Sequence, residues 1–134
     1  MQFDTPSRHP RSRPWPLIVG GLALLGVGLS IFLAPLTYQA NMGVELPAEA
    51  TLLSDMRAMA GSLIGVGALL LAGARWVSLT LPAALAGAVL YLSYGLSRLV
   101  SMAVDGLPDA TLIASTIIEL TLGTLLAVER RRGV

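Results

Sequence analysis

Four long apolar segments, separated by short polar stretches, make up most of this chain of 134 residues. Each segment holds roughly twenty residues, the length that an α-helix needs to cross the hydrocarbon core of a bilayer. Within lipid the backbone must satisfy its own hydrogen bonds, so segments of this kind fold as helices. The pattern predicts an all-α integral membrane four-helix bundle, with spans at about 17–36, 57–74, 81–104 and 110–128.

The composition agrees with a membrane protein. Hydrophobic residues make up 54% of the chain, charged residues only 13%, and the mean hydropathy is +0.74. A soluble domain usually has about a quarter of its residues charged. We therefore expect a Pro/Arg-rich cytoplasmic tail at 1–16 followed by one membrane domain at 17–130. The net charge of +1 provides no field that would attract nucleic acid.

Several classes of chemistry are excluded by residue type. The chain has no cysteine and all nine basic residues are arginine, which removes disulfides, thiolate metal sites and Schiff bases. The single histidine, His9, lies in the tail. No nucleophile with its base, phosphate loop or metal-ligand set is present in the sequence. We expect no enzymatic activity and no cofactor, other than a bound lipid or similar lipophile.

The charges are distributed unevenly between the two ends of the predicted spans. One side carries seven arginines: Arg8, Arg11, Arg13, Arg75, Arg130, Arg131 and Arg132. The other side carries carboxylates: Glu45, Glu49, Asp55, Asp105 and Asp109. The positive-inside rule then predicts that both termini are cytoplasmic. Trp15 and Trp76 complete the predicted membrane-surface set, since tryptophan favours the interface.

Proline and glycine mark the predicted connections. Residues 38–46 are predicted to be a loop, after which Pro47 suits the first position of a helix. A short turn at 77–80 is predicted to follow Trp76. In the turn at 105–109, glycine is expected to end one helix and Pro108 to start the next.

Glu119 lies near the middle of the last apolar segment, at a depth where a carboxylate is costly and usually has a partner. The preceding segment supplies Arg98. Counted from the turn at 105–109, the two residues differ in depth by about 5 Å. Counted from the cytoplasmic ends they differ by about 11 Å, but the short turn makes the first count the better guide. We therefore predict that Arg98 pairs with Glu119.

Polar and small residues recur at helical spacing in three of the segments. The stripes are Arg57, Gly61 and Gly65; Gly87, Tyr91, Tyr94, Arg98 and Ser101; and Thr111, Ser115, Glu119 and Gly123. If these faces meet, they form a small polar pocket that opens outward. One interpretation is a site for a lipophilic molecule with an anionic head; the other is an internal Arg–Glu lock that fixes the helix pairing. Tyr91 and Tyr94 are expected to act in packing or hydrogen bonding.

Glycines recur in the first two segments, as Gly20, Gly21, Gly26 and Gly28 and as Gly61, Gly65 and Gly67. Small residues allow helices to approach closely in a membrane. We expect most of these glycines to pack within the bundle, although the same pattern serves association with another subunit.

Three stretches together point to a family: SDMRAMAG at 54–61, SRLVSMAVDGLP at 97–108 and IEL at 118–120. The chain resembles the small bacterial four-helix membrane proteins grouped as domain of unknown function 4345. Those proteins have an acidic-x-Arg-Ala step before a Tyr-Gly-Gly-like turn. They then have Gly-x-x-Arg-x-x-Ser ahead of Asp-Gly-x-Pro, and Glu-Leu in the last helix. The matching positions here are Arg57, Arg98, Asp105, Gly106, Pro108 and Glu119.

The chain departs from that pattern at Ala60, where an aromatic residue is usual, and at Asp55, where glutamate is common. The resemblance covers about residues 17–130. It implies the four-helix membrane fold and the importance of the matching charged residues, and it implies no established activity.

These observations leave three functional hypotheses. The first is a non-catalytic accessory or interaction subunit of a membrane complex, with membrane lipid and other membrane protein subunits as partners. The second is a binder or carrier of a lipid, quinone or pigment at Arg57, Arg98 and Glu119. The third is a proton-coupled transporter, because small four-helix drug/proton antiporters also rely on one membrane glutamate.

Overall fold

The computed structural model describes residues 14–132, with side chains through Glu129. This part of the chain is helical and contains no strand. In chain order its helices are α1 (Trp15–Leu33), α2 (Pro35–Asn41), α3 (Ala50–Arg75), α4 (Val77–Asp105) and α5 (Ala110–Arg132). All except the short α2 are long and apolar enough to cross a membrane. The predicted all-α fold with four spanning helices is confirmed.

The spanning helices pack as two antiparallel pairs. The α1–α3 and α4–α5 contacts are the most extensive, and the α3–α4 contact joins the pairs. Glycines bring the α1 and α3 backbones close together. A Cβ added at Gly21 would lie 2.9 Å from the carbonyl oxygen of Gly67, and one added at Gly28 would lie 3.1 Å from that of Ala60. No larger residue fits at Gly21 or Gly28 without moving a helix.

The core runs along the line where the pairs meet. Leu17 of α1, Leu70 of α3 and Leu126 of α5 are almost completely buried. Gly87 of α4 lies between the last two, because a Cβ there would approach both leucine side chains to within 3 Å. Small residues on α4 therefore let large side chains from the other helices fill the centre of the bundle.

The first connection differs from the predicted loop at 38–46. α1 ends at Leu33, because Ala34 leaves helical geometry and Pro35 starts the short helix α2. The fixed φ of proline suits the first position of a helix. The loop proper begins after Asn41, with Gly43 at positive φ.

The predicted starts of α3 and α4 are wrong. α3 begins at Ala50 after an extended Glu49, so Pro47 lies in the preceding loop and not at the first helical position. α4 begins at Val77, so Trp76 alone separates it from α3 and the predicted turn at 77–80 is helical. The Thr80 hydroxyl fixes this sharp break, because it donates a 2.8 Å hydrogen bond to the Gly73 carbonyl at the end of α3.

Candidate functional site

Glu119 projects from α5 toward α4, where it meets Arg98. The Arg98 Nε lies 2.9 Å from Glu119 Oε2, as a hydrogen-bonded ion pair. The carboxylate side chain is 16% exposed and the arginine side chain 33% exposed. Both residues belong to apolar helices that can span a membrane. The structure therefore brings together Arg98 and Glu119, which were predicted to pair because they lie at similar distances from the turn at 105–109.

Two glycines, each facing a leucine of the other helix, set the spacing of α4 and α5 beside the ion pair. A Cβ added at Gly95 of α4 would lie 2.6 Å from the Leu120 side chain, and one at Gly123 of α5 would lie 2.8 Å from that of Leu92. The two helices are therefore close enough for a direct contact between side chains. At this spacing the Arg98 Nε contacts the Glu119 carboxylate directly.

Tyr91 and Tyr94 lie on the same side of α4 as the pair. Tyr91, Tyr94 and Arg98 are three and four residues apart along α4, which places them on one face of the helix. The Tyr91 hydroxyl donates a buried 2.7 Å hydrogen bond to the carbonyl oxygen of Gly20 on α1. Tyr91 thus links the two helix pairs, and Tyr94 lies beside the ion pair.

Of the polar side chains in the predicted stripe of α5, only Glu119 bonds to a side chain of another helix within the described residues. Ser115 donates to the Thr111 carbonyl at 3.0 Å, so its hydroxyl is used within its own helix. The neighbouring Thr116, which the sequence analysis did not single out, is the buried polar residue of this helix, and it donates to the Leu112 carbonyl. Bonds of this kind use the hydroxyl proton within the helix, so toward a pocket these groups can only accept a hydrogen bond.

A short turn connects the end of α4 to the start of α5. Gly106 has φ +101°, which accounts for a glycine there. Pro108 does not start α5 as predicted: the helix begins at Ala110, and the Asp109 carboxylate accepts a 2.9 Å hydrogen bond from the Leu112 amide. Asp109 is therefore the N-cap of α5. Its carboxylate accepts a hydrogen bond from a free amide of the first turn, which a proline side chain could not do.

A depression of about 290 Å³ lies between Arg98 and this turn. Its lining residues are Arg98, Ser101, Met102, Asp105, Gly106, Leu107, Pro108 and Leu112. The Ser101 hydroxyl donates to the Asp105 carboxylate at 2.8 Å, which places a second carboxylate near the mouth. The exposed part of Arg98 therefore faces a small polar space beneath the turn.

Arg57 lies apart from this pair. Its Nε donates a 3.2 Å hydrogen bond to the carbonyl oxygen of Phe32, near the end of α1, and it lines a different depression from Arg98. The stripe of α3 does not meet the stripes of α4 and α5, because a Cβ added at Gly61 or Gly65 would meet open space. The buried face of α3 is instead formed by Met56, Ala60, Leu63, Gly67 and Leu70.

The predicted membrane-surface residues are only partly within the described chain. Trp15, Arg75 and Trp76 are exposed and lie at one end of the bundle, because α1 and α3 are antiparallel. Exposed tryptophan at a helix end is typical of the membrane interface. Arg8, Arg11 and Arg13 lie outside the described residues, as do the side chains of Arg130, Arg131 and Arg132.

Four apolar spanning helices with an Arg–Glu pair between the last two define a multi-pass α-helical membrane protein. The family described as Domain of unknown function (DUF4345) matches residues 14–128. The chain belongs to this family, as the resemblance of its charged motifs predicts. Comparison with curated proteins and with solved structures finds no match.

Proposed function

We propose that this protein is a non-catalytic accessory or interaction subunit of a membrane complex. It would reside in a bacterial cytoplasmic membrane with both termini in the cytoplasm. The arginine distribution supports that orientation, because basic residues concentrate on the cytoplasmic side of membrane proteins.

The observation that carries the proposal is the open face of α3. A Cβ added at Gly20, Gly21, Gly28, Gly67, Gly73, Gly87, Gly95 or Gly123 would touch a neighbouring helix at 3.3 Å or less. Gly61 and Gly65 of α3 lie in the span and face open space, as does Gly26 of α1. A small-xxx-small pattern lets the backbone of a second helix approach closely. The outward position of this pair on a spanning helix supports docking of a helix from another subunit.

The charged residues within the spans have structural partners, as a non-catalytic role requires. Arg98 and Glu119 are bonded to each other, and Arg57 is bonded to a backbone carbonyl. Charges placed in this way hold helices in register and do not require a reaction. The pairing of Glu119 with a guanidinium also gives it a structural reason to be in the span, which weakens the case for a proton-coupled transporter.

A pull-down with matched variants tests the proposal. The full chain would be extracted from its own membrane in a mild, lipid-preserving amphiphile and its protein partners quantified by mass spectrometry. Gly61→Leu and Gly65→Leu should each remove a stoichiometric partner. Gly26→Leu is the control, because Gly26 on α1 also faces open space. Equal recovery of the partner with all three variants would contradict docking on this face of α3.

A second candidate function is a binder or carrier of a lipophilic molecule. It is favoured by one observation, the partly exposed Arg98 at the wall of the 290 Å³ depression beneath the α4–α5 turn. Glu119→Gln separates the two functions. If the carrier function holds, the variant should lose a defined small molecule that co-purifies with the wild type. If the accessory function holds, it should lower stability and still retain the protein partner at a matched folded fraction.

A further inference from the structure

A depression of about 630 Å³ lies between the end of α1 and the first turns of α3. It is lined by Phe32, Ala50, Leu53, Ser54, Arg57 and Ala58. Four of these side chains are apolar, and the other two are a hydroxyl and a guanidinium. The depression is shallow and wide open, and its apolar wall with two polar groups suits a small amphiphilic molecule that lies against the helix surface.

The guanidinium of Arg57 makes one hydrogen bond to the described part of the chain. Its Nε donates to the Phe32 carbonyl, which lies in the last turn of α1 where carbonyls lack a partner within the helix. A guanidinium has five N–H donors, so this bond leaves most of them available. Among the described side chains, no carboxylate lies within 4 Å of Arg57. The residue therefore presents free guanidinium donors, without a direct ion-pair partner among the described side chains, at the wall of the depression.

The depth of Arg57 is that of lipid headgroups. At about 1.5 Å per residue it lies about 27 Å along α3 from Arg75, close to the thickness of the hydrocarbon core. Arg75 and Trp76 mark the interface at the opposite end of the helix. A cation at this level lies where lipid phosphates lie, and the apolar wall beside it lies level with the upper acyl chains.

The exposed surface next to the depression is apolar. Phe32 is 43% exposed and Leu33 is 75% exposed, so the wall of the depression continues onto the lipid-facing side of α1. A molecule held at Arg57 can therefore extend a hydrocarbon chain along α1 without leaving the membrane. A free inorganic anion would leave this apolar wall uncovered.

We propose that this depression binds one anionic phospholipid. The lipid phosphate accepts hydrogen bonds from the free N–H groups of Arg57, with the Ser54 hydroxyl beside it, and one acyl chain lies along Phe32. Arginine suits this role because its planar fork matches two phosphate oxygens at once. Arg57 lies one turn before Gly61 on the same stripe of α3, and the lipid site and the helix partner are tested by different variants.

Native mass spectrometry of the full chain in a mild detergent tests the site. Phosphatidylglycerol and phosphatidylcholine with identical chains would be titrated in turn. The wild type should retain one phosphatidylglycerol in preference to phosphatidylcholine, and Arg57→Gln should weaken that binding by about tenfold. Arg75→Gln, an exposed arginine at the other end of the same helix, should bind phosphatidylglycerol as the wild type does.

A second variant separates lipid binding from the contact between Arg57 and Phe32. Leu53→Trp fills the depression and leaves the guanidinium in place, so it should also lose the bound phosphatidylglycerol. Equal retention of the two lipids by the wild type would overturn the proposal, as would normal phosphatidylglycerol binding by both Arg57→Gln and Leu53→Trp. Displacement of the lipid by millimolar inorganic phosphate would overturn it too, by showing that the site takes a free anion.

Discussion

The guanidinium of Arg98 and the carboxylate of Glu119 meet across the α4–α5 interface, with Nε 2.9 Å from Oε2. The two helices are consecutive and are joined by a turn at 106–109. A slip of one helix along the other would separate the charges and leave a carboxylate alone in an apolar environment. The pair therefore specifies the register of α4 against α5, in addition to any contribution it makes to stability.

Tyr91→Phe tests the link between the two helix pairs. The variant removes the 2.7 Å hydrogen bond from the Tyr91 hydroxyl to the Gly20 carbonyl and keeps the buried ring. We expect the free energy of unfolding, measured by detergent titration in mixed micelles, to fall by about 1 kcal/mol. Tyr38→Phe is the control, because no hydrogen bond links the Tyr38 hydroxyl to the described part of the chain. A loss no larger than that of the control would show that this bond contributes nothing.

Gly21→Ala tests the close packing of α1 on α3. The added methyl group would lie 2.9 Å from the Gly67 carbonyl oxygen and from the Leu71 side chain, so the helices must move apart. We expect a destabilisation of about 1–3 kcal/mol in the same titration. Gly61→Ala, which places its methyl in open space, should be neutral or slightly stabilising. Similar effects of the two substitutions would contradict the assignment of the inner and outer faces.

Asp109→Ala tests the start of α5. The Asp109 carboxylate accepts a hydrogen bond from the Leu112 amide, and its loss leaves a helix-end N–H without a partner. N-cap removal costs about 1 kcal/mol. Asp55→Ala removes another exposed carboxylate, within α3, and should have little effect. Amide hydrogen exchange in the first turn of α5 provides the most local readout: it should accelerate in Asp109→Ala alone.

Much of the architecture could be predicted from hydropathy, because each span is a long apolar block bounded by polar residues. The Arg98–Glu119 contact was also predictable, since the turn at 105–109 fixes the relative depth of the two residues. Helix boundaries were harder to predict. The helix is interrupted at Trp76 by an extended backbone, and a hydrogen bond from Thr80 to the Gly73 carbonyl holds the break. Neither feature can be predicted from the amino-acid composition of the segment.

The orientation of α3 could not be predicted for a physical reason. Its two adjacent faces both carry small residues, with Ala60 and Gly67 on one and Gly61 and Gly65 on the other. Either face allows close packing, so the choice depends on which fits α1. The bond from Tyr91 to Gly20 was equally hidden, because every residue offers a carbonyl acceptor and only the packed helices select one.

The measurement that most directly tests the central claim is a double-mutant cycle on the ion pair. Glu119→Gln, Arg98→Ala and the double variant would be unfolded by detergent titration in mixed micelles. If the pair holds α4 to α5, each single variant should be destabilised by about 2 kcal/mol, because it leaves one charge in the span without its partner. The double variant should be less destabilised than the sum, with a coupling energy of about 1–2 kcal/mol. Additive losses would contradict the claim that these two side chains form the lock between α4 and α5.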